Sequence, residues 1–431
     1  MLLKNLSIQL NKKMKQFFFK YKKFFLIFAA VFGPATITAM ADNDASGVAT
    51  YAIAGAKLGY PILFILLIIT ILLAITQEMG IRLSLITRKG LGDVIRENFG
   101  VGSSILIFVL LFIANIGTII VNVAAFKTTA TILNLPAIPL IIILLFFIAF
   151  FVIKGNYKIT QNVMLISSFF YLAYIFSAIK SKPDWNLAVG NLFYPHGINF
   201  TNQYIRDYII IGLGVLGTTI TPWGQFFISS FGLDKKISIE KLKFSQIETY
   251  WGAFLTDFFS FFMIVATAAT LFINKIPLIS GEQAAMAIEP FAGKLAATLF
   301  AFGIMNAGFM GIVIVSLSTT YAFSEFFGFS GSLDTSFQQS KSFYILFIGQ
   351  LIFAFLVVLL PFINLFQIAI VSQIINAMAL PPIFYFLIKF TNDKKIMGQY
   401  TNNSFQKWFA IIATFIIIFA SIFSILSILI K

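Results

Sequence analysis

FFLIFAAVFGPATITAMADNDASGVATYAIA, residues 24–54, is an apolar run long enough to cross a bilayer, and it carries Asp42, Asn43 and Asp44 near its middle. Ionisable side chains inside hydrocarbon cost several kcal/mol, so such a cluster marks a functional site before it marks anything else. Ala45, Ser46 and Gly47 follow, small residues that tolerate an unwound backbone. The stretch predicts a transmembrane helix broken at its centre, where carbonyls freed at the end of one half-helix add to carboxylate oxygens around a cation. The competing reading is a short loop between two shorter helices, although the turn at 55–60 leaves little room for a further crossing.

Outward from this run the same pattern repeats. Of the 431 residues, 59% are hydrophobic and only 11% charged, against roughly 45–50% and about 25% in soluble domains. That is too little polar surface to cover a soluble body of this size, so the solvent for most of the chain is lipid. Runs able to span roughly 30 Å of hydrocarbon fall near 24–54, 61–86, 103–126, 136–153, 161–179, 207–230, 249–273, 292–324, 343–361, 364–389 and 408–430. The expected fold is therefore all-α and polytopic, with about eleven transmembrane helices. The first and eighth runs are long enough to contain a break or a tilt.

Orientation follows from the basic residues. Seven Lys precede the first span, and with alternate connections they place 22 of the 30 Lys and Arg on one side. By the positive-inside rule that side is cytoplasmic, and an odd number of spans puts Lys431 outside. The net charge of +14 is then a topology signal, not a nucleic-acid footprint. The expected organisation is a basic cytoplasmic segment at 1–23 and one transmembrane domain at 24–430. The domain divides into repeats at about 24–180 and 206–390 and an extra helix at 408–430. The Lys-rich start, the apolar core and Ala39-Met40-Ala41 also resemble a secretory signal, but cleavage after Ala41 would remove half a span. Cys is absent and His occurs once, which excludes a disulfide framework, a thiolate nucleophile and a Cys/His zinc centre. Any metal handled by this chain meets oxygen ligands.

A second break is predicted at GTTITPWG, residues 217–224, where Pro222 removes a backbone donor and displaces the carbonyl of Thr218. Thr-Ile-Thr occurs at 36–38 and again at 219–221. The echo lies five spans apart, as an inverted repeat of five plus five helices with two discontinuous helices would produce. Trp223 lies inside a span and reads first as a core aromatic. Asp257 is a lone acid midway along the seventh span, either a pathway group or one bonded to a neighbouring helix. Glu78 and Arg82 are four residues apart and read as a structural pair. Gln373 and Asn376 in the tenth span either line a cavity or tie helices together, Gln225 is a candidate for lining the pathway or pocket, and His196 reads as solvated.

Residues 33–60 (GPATITAMADNDASGVATYAIAGAKLGY), 86–97 (ITRKGLGDVIRE), 216–227 (LGTTITPWGQFF) and 380–400 (LPPIFYFLIKFTNDKKIMGQY) resemble the NRAMP family of divalent metal transporters. The likeness runs over essentially the whole chain after the Lys-rich leader. It implies eleven helices, a cytoplasmic N-terminus, and the LeuT-like inverted five-plus-five fold of the amino acid-polyamine-cation superfamily with helices 1 and 6 broken. The family's Asp-Pro-Gly-Asn motif falls on Asp44, Ala45, Ser46 and Gly47, which keeps the metal-binding carboxylate but replaces the Asn ligand. The resemblance puts carbonyl ligands at Ala41 and Thr218, and the family's Met-Pro-His falls on Thr221, Pro222 and Trp223. The third-helix acids that carry protons in the family fall on Thr118 and Val121.

These departures share a physical direction. Met is a soft ligand that favours transition metals, and Thr221 in its place leaves hard oxygen donors. Loss of the Asn side chain at Gly47 widens the expected pocket, so that Asp42, Asn43, Asp44 and neighbouring hydroxyls suit a partly hydrated ion. The pattern resembles the NRAMP-related magnesium transporter branch, which also carries Mn²⁺. The implied function is movement of Mg²⁺, Mn²⁺ or both by alternating access across a bacterial-type inner membrane, by a monomer and without proton coupling. The transported ion is the only metal implied, with no resident cofactor. A proton-coupled Mn²⁺/Fe²⁺ importer using Asp257 or Asp42 is the alternative. A cation-coupled organic-solute symporter, with Asp44 near sodium and Trp223 stacking on substrate, is a more distant one. Without an evident nucleophile and base pair, the chain is not expected to be an enzyme.

Overall fold

The computed structural model describes residues 32–429, apart from 199, 290–292 and 362. The basic segment, the signal-peptide reading and the start of the first span fall on residues 1–31, outside the described residues.

Lipid offers no partners for backbone N–H and C=O groups, so a membrane chain of this composition must satisfy them within helices. Among the described residues the regular structure is entirely helical. The elements are α1 (Pro34–Ala41), α2 (Ala45–Leu58), α3 (Leu63–Thr87), α4 (Leu91–Ile132), α5 (Ala137–Lys154), α6 (Tyr157–Ser167), α7 (Leu172–Lys180), α8 (Trp185–Phe193), α9 (Asn202–Thr219), α10 (Pro222–Asp234), α11 (Leu242–Thr267), α12 (Gly281–Met286), α13 (Ala296–Phe327), α14 (Lys341–Val358), α15 (Leu365–Asn392), α16 (Lys394–Met397) and α17 (Ser404–Leu429). Ten helical segments among the described residues are long and apolar enough to cross a membrane. The broken pair α1 and α2 occupies the remaining predicted span.

Both predicted breaks are present. α1 stops at Ala41, three residues fold back through Asp44 N to Ala41 O at 3.0 Å, and α2 restarts with Asp44 as its N-cap. α9 ends at Thr219, Ile220 and Thr221 are extended, and α10 begins at Pro222 with the Thr221 hydroxyl accepting from Gly224 N. Proline suits the first helical position, where its missing N–H would be unpaired anyway. The eighth predicted span, by contrast, is one continuous helix, α13. α4 extends well beyond the expected 103–126, because residues before Gly100 form a further stretch of helix joined through its positive φ of 76°.

α2 packs on α9, α1 on α10, and α11 against both halves of the first broken helix. α13 lies along α4, and α15 packs on α4 and α9. At the α9–α15 crossing a Cβ on Gly217 would stand 1.8 Å from the Gln373 carbonyl oxygen. Only glycine permits this approach, which brings Thr218 and Gln373 into the same core.

The Glu78–Arg82 pair is fully used in structure. Glu78 accepts from Arg82 Nε at 2.7 Å, from Gln246 at 2.7 Å and from Gln406 at 3.0 Å. Arg82 also donates to Asn402 at 2.6 Å and to the Tyr400 carbonyl. This buried cluster ties the end of α3 to α11, α17 and the segment after α16.

Candidate functional site

The two breaks meet inside the bundle. Asp42, Asn43, Asp44, Thr218 and Thr221 are all buried, and the Asp42 carboxylate faces Thr221 across the gap, with Thr221 Oγ1 3.4 Å from Asp42 Oδ1. Asp42 Oδ2 has no hydrogen-bond partner among the described residues. A buried carboxylate oxygen left unpaired is expensive and requires an explanation.

Asp44 is held far more tightly. Its Oδ1 accepts from Gly47 N at 2.8 Å and from Ser46 Oγ at 2.6 Å, and its Oδ2 accepts from Asn122 Nδ2 at 2.7 Å. An ionised carboxylate has about four acceptor positions. Three are filled at Asp44, whereas Asp42 uses one at most. The two acids thus differ in role: Asp44 is fixed in direction by the start of α2 and by α4, and Asp42 presents a free edge.

Gln373 Nε2 donates to Ser46 Oγ at 2.5 Å, and Asn376 Nδ2 donates to Gln373 Oε1 at 2.6 Å and to Thr118 Oγ1 at 3.0 Å. A neutral chain of side chains therefore runs from Asp44 through α15 to α4. Thr118 ends that chain, and Val121 is a buried apolar neighbour in α4. Gln373 and Asn376 sit one turn apart and tie helices together while reaching the site through Ser46.

Asn43 is directed elsewhere. Its Nδ2 donates to Thr256 Oγ1 at 2.7 Å, its Oδ1 accepts from Ser260 at 3.0 Å, and its carbonyl accepts from Tyr171 at 2.6 Å. The amide is occupied in anchoring the break to α11. Gly47 does not open space either. A Cβ there would stand 2.2 Å from the Asp42 carbonyl and 3.1 Å from Thr218 Oγ1, so the backbone of the break fills the room that the sequence assigned to a wider pocket.

Trp223 is buried, its Nε1 has no partner among the described residues, and its carbonyl accepts from Ser318 at 2.7 Å. The amides of Gln77 and Gln225 are fully buried and have no hydrogen-bond partner among the described residues. Asp257 is 4% exposed and lies on α11, in the wall of a cavity against α3 and α8. Among the described residues no three His, Cys, Asp or Glu side chains converge as a metal cage. The groups that the break offers to a cation are the Asp42 and Asp44 carboxylates, backbone carbonyls and hydroxyls, all hard oxygens.

Asn122 escaped the sequence reading. It donates to Asp44 and accepts from Ala45 N at 3.0 Å, bracketing the start of α2 from another helix. Its signal was an uncompensated amide in an apolar span. Glu248 was also missed: it accepts from Gly33 N at 2.7 Å and Thr36 N at 3.0 Å, capping the start of α1. Beside it, Lys235 donates to Gln161 at 3.1 Å and to the Phe32 carbonyl. Burial pushes the Lys235 ammonium down to about 8, with the Glu248 charge opposing that shift.

The family model described as Natural resistance-associated macrophage protein-like matches residues 35–427. The divalent metal cation transporter MntH of Listeria welshimeri is 25% identical over 422 residues, covering 94% of this chain and 91% of that protein. The protein of the same name from Granulibacter bethesdensis is 23% identical, covering 91% and 86%. Among solved structures, a manganese transporter of Eremococcus coleocola superposes with a TM-score of 0.77 at 18% identity, covering 93% of this chain and 86% of that one. A Na⁺-coupled sialic acid symporter in a substrate-bound outward-open state superposes with a TM-score of 0.60 at 14% identity, covering 91% and 89%. The fold is therefore shared by transporters of quite different cargo.

Proposed function

The chain belongs to the Nramp family, and from that membership we propose that it carries a divalent metal cation across a membrane by alternating access around the two helix breaks. The observation that carries the reading is the juxtaposition of Asp42 and Asp44 with Thr221 where the breaks meet. Relatives named as divalent metal cation transporters and a structural neighbour named as a manganese transporter support the cargo class.

Asp44 is the principal ligand and Asp42 the accessory carboxylate, assisted by the Ala41 and Thr218 carbonyls and the Thr221 hydroxyl. Asn43 positions the break through α11, and Gly47 lets the Asp42 carbonyl approach. With only oxygens in this set, Mg²⁺ and Mn²⁺ are the favoured cargo, the former keeping part of its water shell. Trp223, Gln225, Gln373 and Asn376 line or brace the path. The protein sits in a bacterial inner membrane as a monomer, with its N-terminus in the cytoplasm.

Transport runs without protons. The acid positions of the third helix are Thr118 and Val121, and Thr118 is tied into a neutral network. Two charges moving inward through about 100 mV gain roughly 4.6 kcal/mol, enough for about a thousandfold accumulation without a partner ion. The competing reading, proton-coupled import of Mn²⁺ or Fe²⁺, is favoured by one observation, the buried acid at Asp257 with no hydrogen-bond partner among the described residues.

The test is Mn²⁺ uptake into proteoliposomes by the parent, Asp44→Ala and Asp42→Ala. The reading expects uptake abolished in the first and weakened at least tenfold in the second. Undiminished uptake by Asp44→Ala overturns the site.

A further inference from the structure

A groove of about 550 Å³ runs between α15 and α17. Pro381, Tyr385 and Ile388 form one wall, and Ile411, Phe415 and Ile418 the other, with Lys389 at one end. Tyr385, Phe415 and Ile418 are exposed along it, so the groove opens on the lipid-facing surface of the bundle. Thr414 lies between the walls, and its hydroxyl donates to the Ala410 carbonyl at 2.7 Å. The interior therefore offers hydrocarbon and no free polar group.

The end at Lys389 is basic. Lys389 Nζ donates to the Tyr385 hydroxyl at 3.3 Å and lies 4.6 Å from the centre of the Phe99 ring, which holds the ammonium at the mouth. Lys407 stands one turn before Ile411 on the same face of α17 and adds a second ammonium there. Both lysines are exposed, and among the described residues neither is in an ion pair. Asp393, one turn after Lys389, caps α16 through Lys395 N at 2.8 Å. Residues 389–407 carry four Lys against that one Asp. By the positive-inside rule this end faces the cytoplasm.

The depth suits a lipid tail. From Lys389 to Pro381 the α15 wall rises about 12 Å, and one leaflet contributes about 15 Å of hydrocarbon. The charges then select among occupants. A second copy related by a two-fold axis along the membrane normal sets the same patch against itself, with lysine facing lysine at one depth. A zwitterionic lipid brings its own ammonium to the two lysines. A headgroup of net negative charge pairs with both, while an acyl chain fills the groove.

We propose that this groove is a binding site for an anionic phospholipid of the inner leaflet, its headgroup phosphate on Lys389 and Lys407 and one acyl chain between α15 and α17. The site shares no residue with the two breaks, so it stands independently of the cation-site reading.

The experiment uses the full chain in neutral detergent, with dioleoylphosphatidylglycerol as probe and dioleoylphosphatidylcholine as its zwitterionic counterpart. Binding of the first lipid molecule is titrated by native mass spectrometry. In the parent the anionic lipid is expected to bind at least tenfold more tightly. Each lysine near the headgroup is worth about fivefold, so Lys389→Gln combined with Lys407→Gln removes the preference. Thr414→Trp, which fills the groove, weakens both lipids, and glycerol 3-phosphate, a headgroup without tails, does not compete. Equal affinity of the parent for the two lipids overturns the proposal, as does a preference that survives in the paired Gln variant. Phosphatidylglycerol affinity unchanged in Thr414→Trp, or competition by glycerol 3-phosphate, overturns it too. Where Thr414→Trp does not fold, the variants at the exposed lysines decide. A dimer that Thr414→Trp dissociates, with no phosphatidylglycerol bound to the parent, gives the groove to a second copy and overturns the lipid site.

Discussion

Asn122 of α4 donates to Asp44 Oδ2 at 2.7 Å while its own carbonyl oxygen accepts from Ala45 N at 3.0 Å, so one amide fixes both the carboxylate and the first turn of the half-helix that carries it. Leaving a buried partner unsatisfied costs about 1–3 kcal/mol. Asn122→Ala is expected to fold, and to lower Mn²⁺ uptake at limiting concentration about tenfold through a higher KM. Asn122→Asp sets a second carboxylate against Asp44 and is expected to be more harmful. Uptake kinetics in proteoliposomes check both.

Restoring an amide ligand at position 47 is expected to fail. A side chain there meets the Asp42 carbonyl at 2.2 Å, and overpacking of this kind costs about 1–3 kcal/mol where the surroundings can shift. Gly47→Asn and Gly47→Ala should both lower the melting temperature in detergent and reduce uptake. A Gly47→Asn protein of parental stability with tighter Mn²⁺ binding would show that the break opens to admit a ligand there.

Under the proposed function, the hydroxyl of Thr221 facing Asp42 keeps the donor set hard. Thr221→Met places a thioether opposite Asp42 and removes the hydroxyl that caps α10, the latter at a cost of about 1 kcal/mol. The variant is expected to prefer Cd²⁺ and Mn²⁺ over Mg²⁺ more strongly than the parent. Competition of each ion against labelled Mn²⁺ measures the change directly.

Lys235 makes the anchoring of α1 depend on pH. Burial lowers its ammonium to about 8. Between there and the ordinary lysine value of about 10.4, the unfolded chain therefore keeps a proton that the native protein releases. Stability contributed at this residue rises with pH across that window and is flat below it. Melting temperatures from pH 7 to 10 should show that rise in the parent and a smaller one in Lys235→Met.

Much of this architecture was legible because lipid leaves few choices. Apolar runs must be helices, and acids or proline within them must mark breaks or sites, so Asp42, Asp44 and Pro222 located both discontinuities. What sequence could not supply was direction. Asn43 and Asp44 are neighbours in the chain, yet one amide turns into α11 and one carboxylate into α4. Gly47 read as added room because a missing side chain looks like space, whereas the turn at 42–44 brings a carbonyl into it. Asn122 and Glu248 were hidden for a different reason. Each matters through a partner far away in the chain, Asp44 for one and the start of α1 for the other, and no local pattern encodes such pairs. The cavity at Asp257 likewise depends on α8, a short segment outside the predicted spans.

A hard-oxygen divalent site that works without protons has consequences for competition, pH and the vesicle interior at once. The most direct measurement is Mn²⁺ uptake into proteoliposomes with a trapped pH dye, at two external pH values and with Mg²⁺ as competitor. Competition by Mg²⁺, little change with pH and no acidification of the interior during uptake are expected. Acidification that tracks Mn²⁺ entry, together with indifference to Mg²⁺, would contradict it.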